Sequence, residues 1–363
     1  MTQIDSTLMQ RKILITCGTG GVGKTTLSAA LALRAATLGK KAAVVTIDPA
    51  KRLSQSLGIQ TLGNHPTDLT PEIQAAYRRS LQTPRPFSEP RGTLAAIMPD
   101  TRRTFEDFVA ELAPNPQTQS RILQNPIFKI FAKEFSGTNE YMALERLLAL
   151  YKNGQYDCII LDTPPSRNTL SFLDAPRILS SFFDESVIKW LLVPTHNLIS
   201  FGMKKSLGIL ERLTGAGFMT HLFEFAAALF EVQNKFNSSL KKITSLLESS
   251  EVGFLMVTTP HSTTHSDSEI RHFLSTLQKY RFHFDGMILN RTLNYLKSTT
   301  ADPSLASGYA VIHELQAKED RILKKLLENQ FPICAKVPEL ARDVHSVEDL
   351  FHVAMALGID PSL

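Results

Sequence analysis

The sequence predicts an α/β protein, a doubly wound and mostly parallel sheet of about seven to eight strands with an inserted α-helical subdomain. Three observations lead there. Short apolar runs rich in β-branched residues recur at 12–17, 41–47, 94–98, 156–161, 253–259, 284–289 and 331–337, and they are continuous rather than alternating, as expected of strands covered on both faces. Most are separated by helical or loop sequence long enough for the crossover that joins parallel strands. The first two bracket a glycine-rich turn and a helical stretch at 25–38 closed by Gly39, which is a βαβ unit.

The turn of that unit reads Gly18, Thr19, Gly20, Gly21, Val22, Gly23, Lys24, Thr25 and Thr26, with the spacing G-x-x-x-x-G-K-T over its first eight residues. A strand before it and a helix after it make this a P-loop. The glycines let successive backbone N–H groups curl round a phosphate, Lys24 reaches the β- and γ-phosphates, and the Thr25 hydroxyl is placed to hold Mg²⁺. The helix then turns its N-terminal dipole toward the same anion. All nine residues are therefore candidates for nucleotide contact, with ATP and Mg²⁺ as the expected cofactors.

In such sheets ligands sit at the carboxyl ends of the strands, so those ends are where further site residues belong. The second run closes on Asp48, Pro49 and Ala50. A carboxylate there suits a group that orients or deprotonates an attacking water, although Asp followed by Pro and a short helical pattern is also a helix cap. The run at 156–161 ends on Asp162, the form of a Walker B acid that helps hold Mg²⁺ beside the P-loop Thr. After the run at 284–289 come Asn290, Arg291, Thr292 and Leu293, which lack the guanine-reading Asp of an N-K-x-D motif. Asn290 is either a turn former or a base contact, with adenine the better fit.

Composition narrows the classes. The chain has 363 residues, 43% hydrophobic, and a net charge of +4 with basic residues mixed among acidic ones, so neither a nucleic-acid-binding tail nor a polybasic membrane anchor is expected. Cys17, Cys158 and Cys334 lie in apolar runs and form no C-x-x-C pair, which suggests buried thiols in a reducing compartment and no zinc. His261 and His265 are four apart in a Ser/Thr-rich loop with no acid between them, a poor metal site. Residues 1–10 are polar with no apolar leader, and no uncharged run is long enough for a membrane span. A cytoplasmic protein is the expectation.

The expected organisation is one P-loop ATPase domain over 1–363 with a helical subdomain contributed by 100–151 and 177–247. Residues 58–93 carry Pro66, Pro71, Pro84, Pro86 and Pro90 and are expected to be irregular or mobile, apart from a helical pattern at 71–80. Helical periodicity recurs at 101–112, 127–135 and 140–151, and 177–247 is rich in Phe, Leu and Met at spacings of three and four. Such a segment either buries its own core or offers apolar surface to a partner. Residues 314–329 and 339–357 read as closing helices.

The P-loop, Asp48 with Pro49 and Ala50, and the stretch from Asp162 through Thr163, Pro164, Pro165, Ser166, Arg167 and Asn168 to Pro176 together resemble the ArsA arsenite-pump ATPases and the guided-entry ATPases that carry tail-anchored membrane proteins. These are deviant-Walker P-loop ATPases, a group that also includes MinD and ParA. The likeness covers nearly the whole chain. Residues 136–140 fall where the family has a Pro-Gly-x-x-Glu loop, Asn290 at its adenine-contacting Asn, and Val337 and Pro338 at its adenine-side loop. The resemblance implies Mg²⁺-dependent ATP hydrolysis, a homodimer or a heterodimer with a paralogue, Asp48 as the water-activating acid, and a client-binding helical lobe. It also implies a hydrophobic membrane-protein client or an anion-transport partner.

The chain departs from the family at two places. Thr19 stands where the family has a signature Lys that reaches the partner's nucleotide, and this leaves a charge vacancy that Lys51, Arg52 or Arg167 would fill, Arg167 being favoured because a guanidinium clamps two phosphate oxygens. Neither the family's zinc C-x-x-C nor its metalloid-binding cysteines are found. Two other readings are compatible with the sequence, a nucleotide-gated holdase with incidental turnover and a ParA-like DNA-partitioning ATPase.

Overall fold

The computed structural model describes residues 1–47, 52–134, 138–163, 174–176, 180, 217–260, 267–293 and 306–360. In chain order the first elements are α1 (Gln3–Gln10), β1 (Ile13–Cys17), α2 (Lys24–Thr37), β2 (Lys41–Thr46), α3 (Arg52–Leu57), β3 (Thr67–Asp68), α4 (Thr70–Ser80) and β4 (Thr93–Ile97). There follow α5 (Thr101–Leu112), α6 (Pro116–Gln124), α7 (Pro126–Glu134), α8 (Thr138–Asn153), β5 (Cys158–Asp162) and α9 (Phe218–Leu247). The chain continues with β6 (Val252–Thr258), α10 (Asp267–Lys279), β7 (His283–Thr292), α11 (Ala306–Glu328), β8 (Ile333–Pro338) and α12 (Val347–Leu357).

These elements form two compact units, one of Met1–Pro99, Ala149–Leu170 and Leu247–Leu363, the other of Asp100–Leu148 and Ser171–Leu246. The first unit holds an eight-stranded sheet in the order β3-β4-β2-β5-β1-β6-β7-β8. Seven of its strands are parallel and correspond to the seven apolar runs of the sequence; only β3 runs antiparallel, against β4. Every residue of β1, β5 and β6 is buried, which is why their sequences do not alternate. Helices α2 and α12 pack together over one side, and their Leu, Ala and Phe side chains join those of β2 and β4 in one core.

Several elements were not anticipated from the sequence, among them α1, α6 and β3. Helix α1 is short, but Ile4 and Leu8 are four apart and almost completely buried, and Thr2 caps it by accepting from the Asp5 N–H. Asp5 also receives a bidentate contact from Arg34 of α2, at 2.8 and 2.9 Å. Burial raises the pKa of Asp5, but the hydrogen bonds and charge of Arg34, with help from Thr2, outweigh it and hold the carboxyl below its ordinary value. Such a group stabilises the fold fully above the usual carboxylate range, and the contribution is lost as pH falls through the lowered value. Arg34→Met is therefore expected to cost about 2 kcal/mol near neutrality, the scale of hydrogen bonds to a charged group. Its urea or thermal unfolding curve should converge on the parent's in acid, whereas a difference independent of pH would mean that the pair does not contribute through its charge.

Between α3 and β4 the regular elements are α4, which is the helix expected at 71–80, and the two-residue β3. Pro71 lies in the first turn of α4, where its missing N–H has no helical partner to lose, and Ile73 and Ala76 are buried against the core.

The second unit is helical. Its core includes an aromatic cluster of Phe108, Tyr141 and Phe236 with ring centroids 5.5 to 5.8 Å apart, a spacing favourable for aromatic packing. The Tyr141 hydroxyl donates to Glu145, which also accepts from Ser239 at 2.6 Å. Helix α6, also absent from the sequence reading, starts on Asn115 and Pro116, an N-cap and first-turn pair. It is tied to α9 by Thr118 and Arg121, which both donate to Glu231, at 2.7 and 2.5 Å. Phe225 and Leu229 of the apolar stretch are buried in this core, whereas Phe230 is 49% exposed. Residues 181–216 of the same stretch lie outside the described residues.

Candidate functional site

The site lies in the first unit, where the carboxyl ends of β1 and β5 meet the start of α2. Leaving β1, the chain passes so close to β6 that a Cβ at Gly18 would lie 2.3 Å from the Val257 carbonyl oxygen, and φ there is +151°. The loop re-enters regular structure at Gly23, with φ of +89° and the Asn290 amide nitrogen only 2.3 Å from where a Cβ would stand. Only glycine fits at either place. Gly23 is the N-cap of α2 and supplies no side-chain hydrogen bond. The helix thus begins with no capping side chain over its first turn, the arrangement that suits an anion.

Lys24 is 5% exposed and its ammonium donates to the Thr19 carbonyl at 2.9 Å, so its charge is held inside the loop. The Thr25 hydroxyl donates to Asp162 Oδ2 at 2.8 Å. Asp162 is fully buried. It also accepts from the Thr46 hydroxyl at 2.8 Å and more weakly from Ser28 at 3.5 Å. Sheet register explains the meeting, because Asp162 pairs with Thr16 of β1 on one side and with Thr46 of β2 on the other. Thr16 completes the layer with a 2.7 Å contact to Ser28, and the Thr163 hydroxyl donates to the Thr16 carbonyl at 2.7 Å. A buried carboxylate surrounded by hydroxyls is a hard-oxygen environment, the donor chemistry that Mg²⁺ selects.

A cleft of about 420 Å³ opens over this layer, lined by Gly21, Lys24, Thr25, Thr163, Arg52 and Arg291 among others. Beside it a smaller hollow of about 80 Å³ is walled by Gly23, Thr26, Asn290, Val337 and Pro338. Asn290 donates its side-chain amide to the Val22 carbonyl at 2.9 Å, so it braces the P-loop as well as bordering the hollow. Pro338 is the last residue of β8.

The structure thus gathers Gly18, Thr19, Gly20, Gly21, Val22, Gly23, Lys24, Thr25, Thr26, Asp162, Asn290 and Pro338 into one region. Asp48, Lys51 and Arg167 lie outside the described residues. Sequence reasoning missed Thr16, Thr46 and Ser28. The available signal was a hydroxyl near the end of each of two neighbouring runs and a Ser one helical turn after Lys24. It also missed Asp343 and His345 on the cleft wall, for which no local signal exists.

The three cysteines are buried. Burial pushes each thiol up to about 12, against a small lowering by Lys24 at Cys17, so none is a ready thiolate for zinc or a metalloid.

Residues 11–358 match the family model for the anion-transporting ATPases, ArsA type. The chain belongs to that family. Among its relatives are an arsenical pump-driving ATPase 2 of Aquifex aeolicus, 25% identical over 76% of this chain and 78% of that protein, and an ASNA1 homologue ATPase of Leishmania infantum, 29% identical over 53% of this chain and 50% of that protein. The get3 ATPase of Aspergillus terreus is 27% identical over 62% of this chain and 58% of its own length. The chain thus spans about half to four-fifths of these relatives. As an ArsA-family member it is an ATPase. Among the described residues no helix is long and apolar enough to cross a membrane.

Proposed function

We propose that this chain is a Mg²⁺-dependent ATPase in which hydrolysis drives a switch between states of a dimer, and that its client is a hydrophobic segment of a membrane protein. The observation that carries the metal and nucleotide reading is the contact of Thr25 with Asp162 at 2.8 Å, beside the uncapped start of α2 and the buried Lys24. Backbone N–H groups of the loop would hold the β-phosphate and Lys24 the β- and γ-oxygens. Thr25 and Asp162 would hold Mg²⁺, which when bound withdraws charge from the phosphate oxygens. Asp48 would orient and deprotonate the attacking water, and Asn290 with Pro338 would border the adenine. Arg167 remains the favoured replacement for the signature Lys that Thr19 lacks; Arg52 is a rival that lines the cleft.

The dimer and the client come from the family resemblance. Between the two family cargoes the cysteines favour the hydrophobic client, since all three thiols are buried with raised pKa values and thiolates are what a trivalent metalloid binds. An apolar helical peptide should be held in solution by the ATP-bound protein, and arsenite or antimonite should leave turnover unchanged. Stimulation by either metalloid would instead favour a pump subunit.

Asp48→Asn is expected to leave ATP affinity within a few fold and to cut turnover by about 10²-fold or more, the scale for a positioned general base. Parental turnover in that variant would reduce Asp48 to a helix cap.

A further inference from the structure

Arg291 is one of three non-glycine residues with positive φ among the described residues, at +60°. It stands where the register of β7 against β8 shifts between Asn290 and Thr292, so it is the extra residue of a β-bulge. A long side chain in the left-handed region is disfavoured, and such residues persist where their surroundings over-determine them. Here every neighbour is tied down. Asn290 donates to the Val22 carbonyl at 2.9 Å, Thr292 accepts at its carbonyl from the Glu339 N–H at 3.0 Å, and the Leu293 N–H donates to buried Glu319 at 2.8 Å. The bulge re-aims the side chain, as bulges beside functional sites do. Arg291 consequently borders both the cleft over Lys24 and Thr25 and the hollow beside Gly23 and Pro338. Its charge is only loosely engaged, 3.6 Å from Glu339, with both side chains about half exposed.

From this geometry we infer that Arg291 is a nucleotide-binding residue, a cation supplied in cis that grips the phosphates of a bound nucleoside di- or triphosphate. The inference rests on the nucleotide site proposed above. It differs from the role sought for Arg167, which acts on the partner's nucleotide and on turnover. A guanidinium brought to a polyphosphate by its own strand adds affinity, and ATP and ADP benefit alike because the grip does not depend on the bond that breaks.

The experiment is direct titration of the full chain with ADP and ATP by calorimetry, beside thermal melts. Arg291→Ala is expected to weaken both nucleotides by about tenfold, the scale of one charge-assisted contact, with Arg291→Lys recovering most of the loss. Arg291→Gly removes the same side chain while adopting positive φ freely. It should show the same loss of affinity with a melting temperature at or above that of Arg291→Ala. Glu339→Gln, which removes only the ion pair, should leave affinity at or above the parent's. Parental affinity in Arg291→Gly, or an equal loss in Glu339→Gln, would overturn the role of Arg291. Lys24→Ala serves as the control. If the parent binds neither nucleotide, or Lys24→Ala binds as the parent does, the nucleotide site itself fails; if Lys24→Ala loses binding and Arg291→Gly does not, only the present inference fails.

Discussion

Lys24→Ala is expected to abolish tight nucleotide binding, with affinity for ATP and ADP falling by about 10²-fold or more, because several charge-assisted contacts to phosphate go with one ammonium. The residue is 5% exposed and its ammonium is held by the Thr19 carbonyl at 2.9 Å, so it is pre-positioned and little ordering is needed when phosphate arrives. A structural role would show differently. Removing a residue that serves phosphate binding should shift the melting temperature far less than it shifts affinity. Calorimetric titration with ADP, run beside a melt, separates the two, and near-parental affinity would remove Lys24 from the site.

The second large effect is expected at Asp162. Asp162→Asn keeps the volume of the side chain but removes its charge, and ATP turnover should fall by about 10²-fold or more through loss of metal-assisted chemistry. The sharper readout is the metal dependence of binding. In the parent Mg²⁺ should tighten ATP binding, and in the variant that tightening should vanish while affinity in chelator stays close to the parent's. Some loss of stability is expected too, of about 1–3 kcal/mol, since the carboxylate is fully buried and accepts from Thr25 and Thr46 at 2.8 Å each. Both hydroxyls can rotate toward the Asn carbonyl oxygen, so the fold should survive. An unchanged response to Mg²⁺ would show that Asp162 organises the layer without holding a metal.

Much of this is legible in the sequence. The seven apolar runs became seven parallel strands, because a strand covered on both faces writes its burial directly into consecutive residues. The loop was legible for the same local reason, as its glycines, Lys24 and Thr25 fall within one short turn between a strand and a helix. Helix α1 was missed because the only apolar residues of its buried stripe are Ile4 and Leu8, with the polar Asp5 and Thr7 buried between them, too short for a periodic signal. In α9 the sequence left open whether the apolar residues form core or surface; packing places Phe225 and Leu229 inside and Phe230 half in solvent.

What the sequence determined by itself was therefore local: which runs become the parallel strands, and that a glycine-rich turn with a P-loop pattern joins the first strand to a helix. Strand order was decided by the tertiary structure, since parallel buried strands look alike in sequence and nothing local says which will be neighbours. The placing of β5 between β1 and β2 brings Asp162 against Thr46, 116 residues away, and against the Thr25 hydroxyl, 137 residues away. The same closure carries Asn290 to the Val22 carbonyl across 268 residues and sets Arg291 on a bulge beside the cleft. Hydrogen bonds and register at those distances exist only once the chain has collapsed around one sheet, where each strand's position is fixed by what its neighbours bury.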